Sequence, residues 1–306
     1  MSILSRPEFH DEAAALAYVE AWLWPQGPVC PRCGVVNEAT KLGGKSTRLG
    51  TYKCRPCRKP FTVKIGTIFE SSHVPMNLWL QAIHLMCSSK KGTSSNQLHR
   101  TLEVTLKTAW FMSHRIREAM RDDALAGFGV GGGVVEVDET FIGNDRTIKP
   151  KGEKKGRGYA HKHKVLSLVD RTTGRAKSMV VDDLKASTLL PILRENIAKE
   201  AVIYTDEAAQ YGKVGGSFAG HDYVHHGAGE YGRGEVHTNT IEGYFSIFKR
   251  GMKGVYQHCG KQHLHRYLAK FEFRYNNRVA NGTDDSARSA ISLFGASGRR
   301  PMYRDS

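Results

Sequence analysis

The sequence predicts a mixed α/β domain that is preceded by two small domains, one built around cysteine pairs and one all-α. Three observations support this prediction: two Cys-X-X-Cys pairs before residue 60, helical periodicity from Met76 to about Asp123, and strand-like segments alternating with helices after Gly133. The chain has 306 residues, which is enough for about two domains and a substantial core.

The composition favours a polyanionic partner. The chain carries 45 Lys and Arg residues against 30 Asp and Glu, a formal net charge of +15, and nucleic acid is the simplest partner for such a charge. A basic protein that is merely kept soluble by its charge is the alternative. No apolar run approaches the ~20 residues that span a bilayer, and the N-terminus does not resemble a signal peptide. We therefore expect a cytoplasmic protein without a membrane partner, whose cysteines are reduced or bind metal.

The chain begins with a predicted amphipathic helix over residues 8–24, which Pro25 and Gly27 end. Two Cys-X-X-Cys pairs follow, separated by 20 residues: Cys30, Cys33, Cys54 and Cys57. Zinc prefers four tetrahedral thiolates, and each short turn supplies two of them. Because no coordination position stays open, the spacing predicts a zinc ribbon in which the metal is structural and replaces a hydrophobic core. Two redox dithiols are the alternative.

Three predicted helices follow the ribbon. A first helix from Met76, a short second helix capped by Thr93 or Ser94 and a third helix capped by Thr105 form a helix-turn-helix pattern. The third helix is expected to present basic and polar residues outward, where they can meet phosphates and base edges in a DNA groove: Lys107, Thr108, Phe111, His114 and Arg115. A three-helix connector with a solvated basic face is the alternative.

The segment after the glycines at 127–133 is predicted to be an α/β layer. Its expected elements are strands over residues 133–142, 165–170, 176–181, 201–206 and 223–226, and helices over 184–197, 237–250 and 261–277. A Lys- and Gly-rich stretch at 144–164 is predicted to be a basic loop. The predicted domains are therefore the ribbon (1–70), the helix-turn-helix domain (71–126), the α/β domain (132–282) and a basic tail (283–306).

The helix predicted over 237–250 has two faces at helical period. Its apolar side carries Ile241, Tyr244, Phe245, Phe248 and Met252, and its polar side carries Asn239, Glu242, Ser246 and Lys249. Thr238 or Asn239 can cap its start. A carboxylate, Glu242, therefore lies in the first turn. A surface residue that complements the helix dipole is the ordinary alternative for such a position.

Two aspartates upstream turn this glutamate into a candidate metal ligand. Asp138 lies within the first strand of the α/β segment, Asp206 ends the fourth, and Glu242 follows after 35 residues. If strand ends and the helix start converge, the three carboxylates repel one another unless a cation neutralises them. Oxygen ligands favour Mg²⁺ or Mn²⁺, and a pair of such ions promotes phosphoryl transfer. Asp206 as a helix cap is one alternative, and Glu136 or Glu139 in place of Asp138 is another.

Three stretches also carry a family resemblance. GVVEVDETFIG, VIYTDE and HTNTIEGYFSIFKRGMKG resemble the three catalytic blocks of bacterial insertion-sequence transposases of the DDE type, and the group with an N-terminal zinc ribbon matches best. The resemblance covers nearly the whole chain in the same domain order, and its most specific parts are the last block and the 35-residue spacing. It implies an RNase H-like catalytic fold, Mg²⁺-dependent cleavage at the ends of a mobile element, and joining of the 3′-hydroxyl to target DNA.

The resemblance also implies roles for individual residues. Asp138, Asp206 and Glu242 are expected to hold the catalytic Mg²⁺ or Mn²⁺. Lys249 is expected to contact DNA phosphate with Arg250 beside it, and Asn239 to assist. Double-stranded DNA, as element ends and as target, is the expected partner of a homo-oligomer in the nucleoid of a bacterial cell.

Two other functions stay open at this point. A DNA-binding regulator with an inactive catalytic domain would keep the ribbon and the helix-turn-helix but would not need three carboxylates. An RNase H-like nuclease would cut without joining, and it would not need the basic loop at 144–164 for a second DNA partner. Without the resemblance, the residues themselves predict metal-dependent phosphoryl transfer on nucleic acid.

Overall fold

The protein is described by a computed structural model over residues 2–144, 161–206, 211–212, 214–230 and 232–299. It divides into two compact units. The first contains the residues up to Arg121 together with the segment from Thr283 onward, and the second is Asp122–Gly282. Most of the basic loop predicted at 144–164 lies outside the described residues. Within the described ranges, no helix is both long and apolar enough to cross a membrane.

The first unit begins with helix α1 (Glu12–Leu23), whose start is capped by Asp11 through the backbone N–H of Ala14 at 2.7 Å. A three-stranded antiparallel sheet follows, in the order β1-β2-β3: Ala39–Lys41, Tyr52–Cys54 and Pro60–Phe61. The rings of Trp24, Tyr52 and Phe61 pack beside the sheet with centroids 5.5–5.8 Å apart. This small aromatic cluster and the four cysteines form the interior of the ribbon.

Three helices continue this unit: α2 (Met76–Ser88), α3 (Ser95–Leu102) and α4 (Leu106–Ala119). Ser94 caps α3 and Thr105 caps α4 through their side-chain oxygens. Between α3 and α4, Glu103 adopts a left-handed conformation with φ of 53°, which turns the chain sharply. The helices and their caps match the sequence pattern, while their use as a DNA-binding helix-turn-helix stays a prediction.

The segment predicted as a basic tail contains a helix instead. Helix α8 (Asp285–Phe294) is capped by Asp284, and it belongs to the same unit as α2. Arg288 is fully buried and donates hydrogen bonds to the carbonyl oxygens of Cys87 and Thr283, at 3.1 and 2.9 Å. The prediction of a tail was wrong here because an arginine that looks like a surface residue anchors this helix against the end of α2.

The second unit is a five-stranded mixed sheet with helices on both faces. Its elements are β4 (Val134–Ile142), β5 (His163–Asp170), β6 (Ala176–Val181), α5 (Ala186–Asn196), β7 (Val202–Asp206), β8 (Gly220–Val224), α6 (Asn239–Gly251) and α7 (Lys261–Asn276). The strand order is β6-β5-β4-β7-β8. Strands β4, β5 and β6 are antiparallel neighbours, whereas β7 is parallel to β4 and to β8. The predicted mixed α/β class is confirmed.

Alternation along β4 gives the sheet its two faces. Val135 and Val137 point to one side, where they pack with Leu189 and Leu193 of α5. The opposite face of the sheet meets α6, through the cluster of Val169, Ala176, Ile241, Tyr244 and Phe245. Glu136 and Asp138 therefore share the face on which α6 lies.

Candidate active site and zinc site

The four cysteines of the first unit meet at one point. Their sulfur atoms all lie within 4.8 Å of one another, with Cys30 and Cys57 at 3.7 Å and Cys33 and Cys54 at 3.6 Å. A Zn–S bond of about 2.3 Å in a regular tetrahedron requires sulfur atoms about 3.8 Å apart. The donor set and the spacing therefore fit a structural zinc ion with all four positions filled by protein.

The sheet register brings the two aspartates together. In the parallel pair of β4 and β7, Glu136 lies opposite Tyr204. Two residues further along both strands, the same register leads to Asp138 and Asp206, on the same face because side chains alternate. The convergence of strand ends that the sequence predicted is thus a consequence of β4 and β7 being parallel neighbours.

The electrostatics of Asp138 show that three further carboxylates are close to it. Burial raises the pKa of Asp138 to about 8, and the negative charges of Asp206, Glu139 and Glu242 act in the same direction. A hydrogen bond of 2.6 Å from the backbone N–H of Glu139 opposes this rise in pKa. A cluster of this kind is stabilised by a cation that offsets the repulsion.

Glu242 reaches the cluster from the first turn of α6. The apolar face predicted for this helix is buried, including Ile241, Tyr244 and Phe248, while Glu242 itself is exposed. Thr238 occupies the cap position but does not cap the helix with its side chain; it donates a hydrogen bond of 3.4 Å to Glu242 instead. The backbone N–H of Ile241 is bound by a carboxylate oxygen of Glu136 at 2.8 Å.

A basic cleft of about 610 Å³ lies beside the carboxylates. Lys249, Lys253 and Lys162 line it together with Glu139. Burial lowers the pKa of Lys249, whereas the charges of Asp138 and Glu242 raise it, so this lysine lies within electrostatic reach of the cluster. The cleft thus places ammonium groups, which attract a phosphate backbone, together with one acidic side chain, that of Glu139.

The carboxylates are more widely spaced than the cysteines. Within the described ranges, the four cysteines are the one group of three or more candidate ligands whose atoms all lie within 4.8 Å. Ligands shared between two ions about 3.5–4 Å apart need not all be so close to one another. The oxygen-only donor set suits Mg²⁺ or Mn²⁺, so Asp138, Asp206 and Glu242 fit such a pair better than a single tightly enclosed ion.

Glu139, which the sequence offered only as an alternative to Asp138, is a further acidic residue beside this site. Its carboxylate accepts a hydrogen bond of 2.5 Å from the hydroxyl of Tyr211, which is buried. Burial raises the pKa of Tyr211 well above its usual value, and the charge of Glu139 adds to the effect. The signal was present in the sequence as two adjacent acids, but alternation places Glu139 on the opposite face of β4 from Asp138.

The predicted DNA-binding residues fall into two groups. Lys107 is exposed and Thr108 half-buried at the start of α4, where both line a shallow groove with Phe111. Arg250 is exposed at the end of α6. His114 and Arg115, in contrast, are only 3% and 4% exposed, so the prediction that they face outward was wrong.

A specific contact explains the position of Arg115. Its guanidinium donates hydrogen bonds of 2.6 Å to the carbonyl oxygens of Ile68 and Glu70, and the ring of Phe111 lies 4.2 Å away from it. His114 packs at 4.2 Å from the ring of Trp110. Helical periodicity cannot reveal a segment 45 residues upstream that covers this part of α4.

The start of α6 also carries Asn239, the predicted assisting residue, which is exposed. Its backbone N–H lies 3.4 Å from Nδ1 of His237. Glu136, the alternative to Asp138, is fully buried and bound to Arg171 at 2.6 Å. Arg171 had no signal in the sequence, since it stands in a short turn between two strands.

Comparison with known proteins gives matches along both units. A family model described as a transposase zinc-ribbon domain matches residues 10–60, and one described as an ISXO2-like transposase domain matches residues 131–276. An uncharacterized protein in the transposable element ISH50 of Halobacterium salinarum is 29% identical over 262 residues, covering 82% of this chain and 86% of that protein.

Two further matches are weaker. An uncharacterized transposase-like protein of Haemophilus influenzae is 28% identical over 100 residues, covering 33% of this chain and 80% of that protein. A chain in a solved structure of a simian T-cell lymphotropic virus intasome with the PP2A regulatory subunit B56 gamma matches with a TM-score of 0.28 and 13% identity, over 57% of this chain and 67% of that one. That TM-score is too low to support a conclusion about the fold.

Proposed function

We propose that this chain binds the ends of its own element and catalyses metal-dependent DNA cleavage and strand transfer. The chain belongs to the insertion-sequence transposases that combine a zinc ribbon with an ISXO2-like transposase domain. The observation that carries this proposal is the group of carboxylates around Asp138: burial raises the pKa of that residue to about 8, and the charges of Asp206, Glu139 and Glu242 add to the rise. We also propose that the mixed sheet is RNase H-like, a proposal that its helices on both faces support.

Asp138, Asp206 and Glu242 are proposed to hold Mg²⁺ or Mn²⁺. When bound, the ions activate an attacking oxygen and stabilise the leaving oxygen of a phosphodiester. The residues themselves supply the negative charge that attracts these ions, and the rigid pairing of β4 with β7 holds the two aspartates in place. The exposed Glu242 lies at the edge of the cluster, where a DNA strand can approach it.

The basic cleft is proposed to hold the DNA backbone. The charges of Asp138 and Glu242 raise the pKa of Lys249, and those of Lys253 and Lys162 lower it, so this lysine is within electrostatic reach of both groups. Its ammonium group can neutralise a phosphate next to the reacting one without displacing the metal ions. Arg250, exposed on the following position of α6, is proposed to extend this contact.

Recognition of the element ends is proposed for the first unit. At the start of α4, Lys107 is exposed and Thr108 is half-buried, so this end of the predicted helix-turn-helix is accessible to DNA. Phosphate contacts from such residues position a protein on DNA, and nearby polar groups read the base edges. We propose that a homo-oligomer binds two ends, because joining both ends to one target requires two such sites.

The test uses purified full-length protein, Mg²⁺ or Mn²⁺, and labelled DNA that carries the sequences flanking the gene. Wild type is compared with Glu242→Gln and with Glu195→Gln, which changes an exposed carboxylate on α5. We expect cleaved and joined products from wild type and Glu195→Gln, and a loss of at least about 1000-fold in Glu242→Gln, which corresponds to roughly 4 kcal/mol.

Other outcomes would replace the proposed function. Cleavage without joined products would identify a nuclease. Specific binding of the flanks without cleavage by any of the three proteins would identify a DNA-binding regulator. Equal activity of wild type and Glu242→Gln would show that Glu242 is not part of the catalytic site.

A further inference from the structure

An ion pair between the buried Glu136 and the partly buried Arg171 lies next to the carboxylate cluster. Glu136 is 0% exposed and stands two residues before Asp138 on the same face of β4. One of its carboxylate oxygens accepts a hydrogen bond of 2.6 Å from Nε of Arg171, and the other accepts one of 2.8 Å from the backbone N–H of Ile241. Both carboxylate oxygens of Glu136 are thus engaged by groups of the protein itself.

Arg171 joins this carboxylate to the chain that precedes α6. Its Nη1 donates to the carbonyl oxygen of Glu235 at 2.7 Å, and its Nη2 donates to the carbonyl oxygen of His237 at 2.8 Å. The same nitrogen lies 2.6 Å from Nδ1 of His237, which therefore acts as an acceptor. The guanidinium also lies 4.9 Å from the ring centre of Tyr204 on β7.

These contacts reach all three elements that carry the carboxylates. Glu136 is two residues from Asp138 on β4, Tyr204 is two residues from Asp206 on β7, and Ile241 precedes Glu242 on α6. A guanidinium is planar and presents its donors in a fixed fork, so it holds its partners at defined angles. The pair thus contacts a residue near each proposed ligand: the ring of Tyr204 on β7 and the backbone N–H of Ile241 on α6, while Glu136 itself lies on β4.

We propose that Glu136 and Arg171 are positioning residues that set the spacing of Asp138, Asp206 and Glu242. The inference rests on the proposed function, because it concerns the metal site assigned there. The sheet register alone fixes Asp138 against Asp206, but α6 is a separate element that packs on the sheet through an apolar face, and apolar packing is not directional. Hydrogen bonds orient α6 on the sheet: the N–H of Ile241 donates to Glu136, and Arg171 donates to the carbonyl oxygens of Glu235 and His237 just before the helix.

The expected loss of Mn²⁺ affinity on replacing Arg171 or Glu136 follows from their position next to the proposed metal ligands. Residues that orient metal ligands without binding the metal change affinity by about 10–100-fold when they are replaced. Arg171→Ala removes every contact of the guanidinium and leaves Glu136 buried without its charge partner. Glu136→Gln keeps an oxygen for the N–H of Ile241 but loses the charge, so we expect a smaller change in Mn²⁺ affinity.

Mn²⁺ binding is measured on the zinc-loaded full-length protein as the rise in unfolding temperature during a Mn²⁺ titration. A ligand that binds only the folded state stabilises it by an amount that grows with the logarithm of the ligand concentration relative to Kd, so a weaker site needs more Mn²⁺ for the same rise. Asp206→Asn gives the baseline for Mn²⁺ bound elsewhere. Arg278→Ala is the matched control. Like Arg171, Arg278 donates to backbone carbonyl oxygens, those of Gly174 and Tyr275, and its guanidinium lies 4.1 Å from the centre of a tyrosine ring, that of Tyr275. Unlike Arg171, it connects the β5–β6 turn to the end of α7. The Mn²⁺ dependence of DNA cleavage is recorded for the same proteins.

We expect Arg171→Ala to raise the Mn²⁺ midpoint about 10–100-fold in both measurements, with DNA binding unchanged, and Arg278→Ala to keep the wild-type midpoint. High Mn²⁺ should restore part of the cleavage activity. A wild-type midpoint in folded Arg171→Ala, or in Glu136→Gln if the alanine variant does not fold, would overturn the inference alone. A wild-type protein that neither binds Mn²⁺ at these carboxylates nor cuts DNA would overturn the proposed function and this inference with it.

Discussion

Glu136 and Asp138 illustrate how two identical functional groups on one strand face acquire different roles. Both are carboxylates on β4 beneath α6. Glu136 is neutralised by Arg171 and by a backbone N–H, whereas Asp138 faces the charges of Asp206 and Glu139. Asp138 is the carboxylate better suited to bind a cation, because burial and the neighbouring negative charges both disfavour its charged form when no cation is bound.

The repulsion at Asp138 predicts a stabilising substitution. Asp138→Asn removes one charge from the cluster, so the protein without added Mg²⁺ or Mn²⁺ should unfold at a higher temperature. We expect a rise of roughly 2–4 °C, the effect of about 1 kcal/mol in a domain of this size. Thermal unfolding at pH 8 measures it, and cleavage activity should be lost in the same variant. An unchanged or lower unfolding temperature would contradict the repulsion.

A second carboxylate predicts how stability depends on pH. Burial raises the pKa of Glu272 to about 8, although its carboxylate accepts a hydrogen bond of 2.8 Å from the N–H of Ser178. The folded state therefore keeps a proton that the unfolded chain releases above about pH 4.3, so stability falls as the pH rises from about 4 to about 8.

The variant Glu272→Gln lacks this ionisation. Its free energy of unfolding should depend less on pH between 5 and 8 than that of wild type, as denaturant titrations at several pH values can measure. Glu195→Gln, at an exposed site, should retain the wild-type slope. Equal slopes for wild type and Glu272→Gln would show that Glu272 ionises normally in the folded protein.

At the scale of elements, helix α4 shows what periodicity can and cannot establish. The sequence predicted its start, its cap at Thr105 and its separation from α3, since these depend on neighbouring residues. It did not predict that Arg115 binds the carbonyl oxygens of Ile68 and Glu70, because that contact depends on how the chain folds back. Only the start of α4, with Lys107 and Thr108, is left accessible for DNA.

This division predicts opposite phenotypes for two basic residues of α4. Lys107→Met should weaken binding of the element ends and reduce the slope of log affinity against log salt by about 1, with unchanged stability. Arg115→Met should lower the unfolding temperature by roughly 5–10 °C, because two buried carbonyl oxygens lose their donor. Fluorescence anisotropy and thermal unfolding provide the two measurements. A stable Arg115→Met protein that loses DNA binding would show that Arg115 faces outward and contacts DNA.

The folding of the zinc ribbon is expected to depend on its metal ion. Cys54→Ser should lose the zinc ion, because a hydroxyl does not replace the fourth thiolate, and it should weaken binding of the element ends as the ribbon unfolds. Zinc per chain is measured by atomic absorption. Cys259→Ser, at a cysteine outside the four-sulfur group, should retain one zinc ion per chain. Normal zinc content in Cys54→Ser would contradict the ribbon assignment.

At the scale of the whole molecule, the sequence was sufficient where a property depends on local pattern. The two cysteine pairs, the strand over residues 133–142 and the apolar face of α6 all appear in the structure as predicted. The order of strands was not available, because whether β7 lies beside β4 depends on contacts between distant segments. Helix α8 was missed for the same reason: Arg288 indicates a helix partner only when α2 is already in place.

The most direct test of the central claim supplies the reaction with its proposed nucleophile. Wild type and Glu242→Gln are incubated with Mn²⁺, a target plasmid and pre-cut element ends that carry either a 3′-hydroxyl or a 3′-deoxy terminus. We expect joined products only from wild type with the 3′-hydroxyl ends. Joining by Glu242→Gln, or no joining by wild type with ends that it binds specifically, would contradict the claim that these carboxylates form a strand-transfer site.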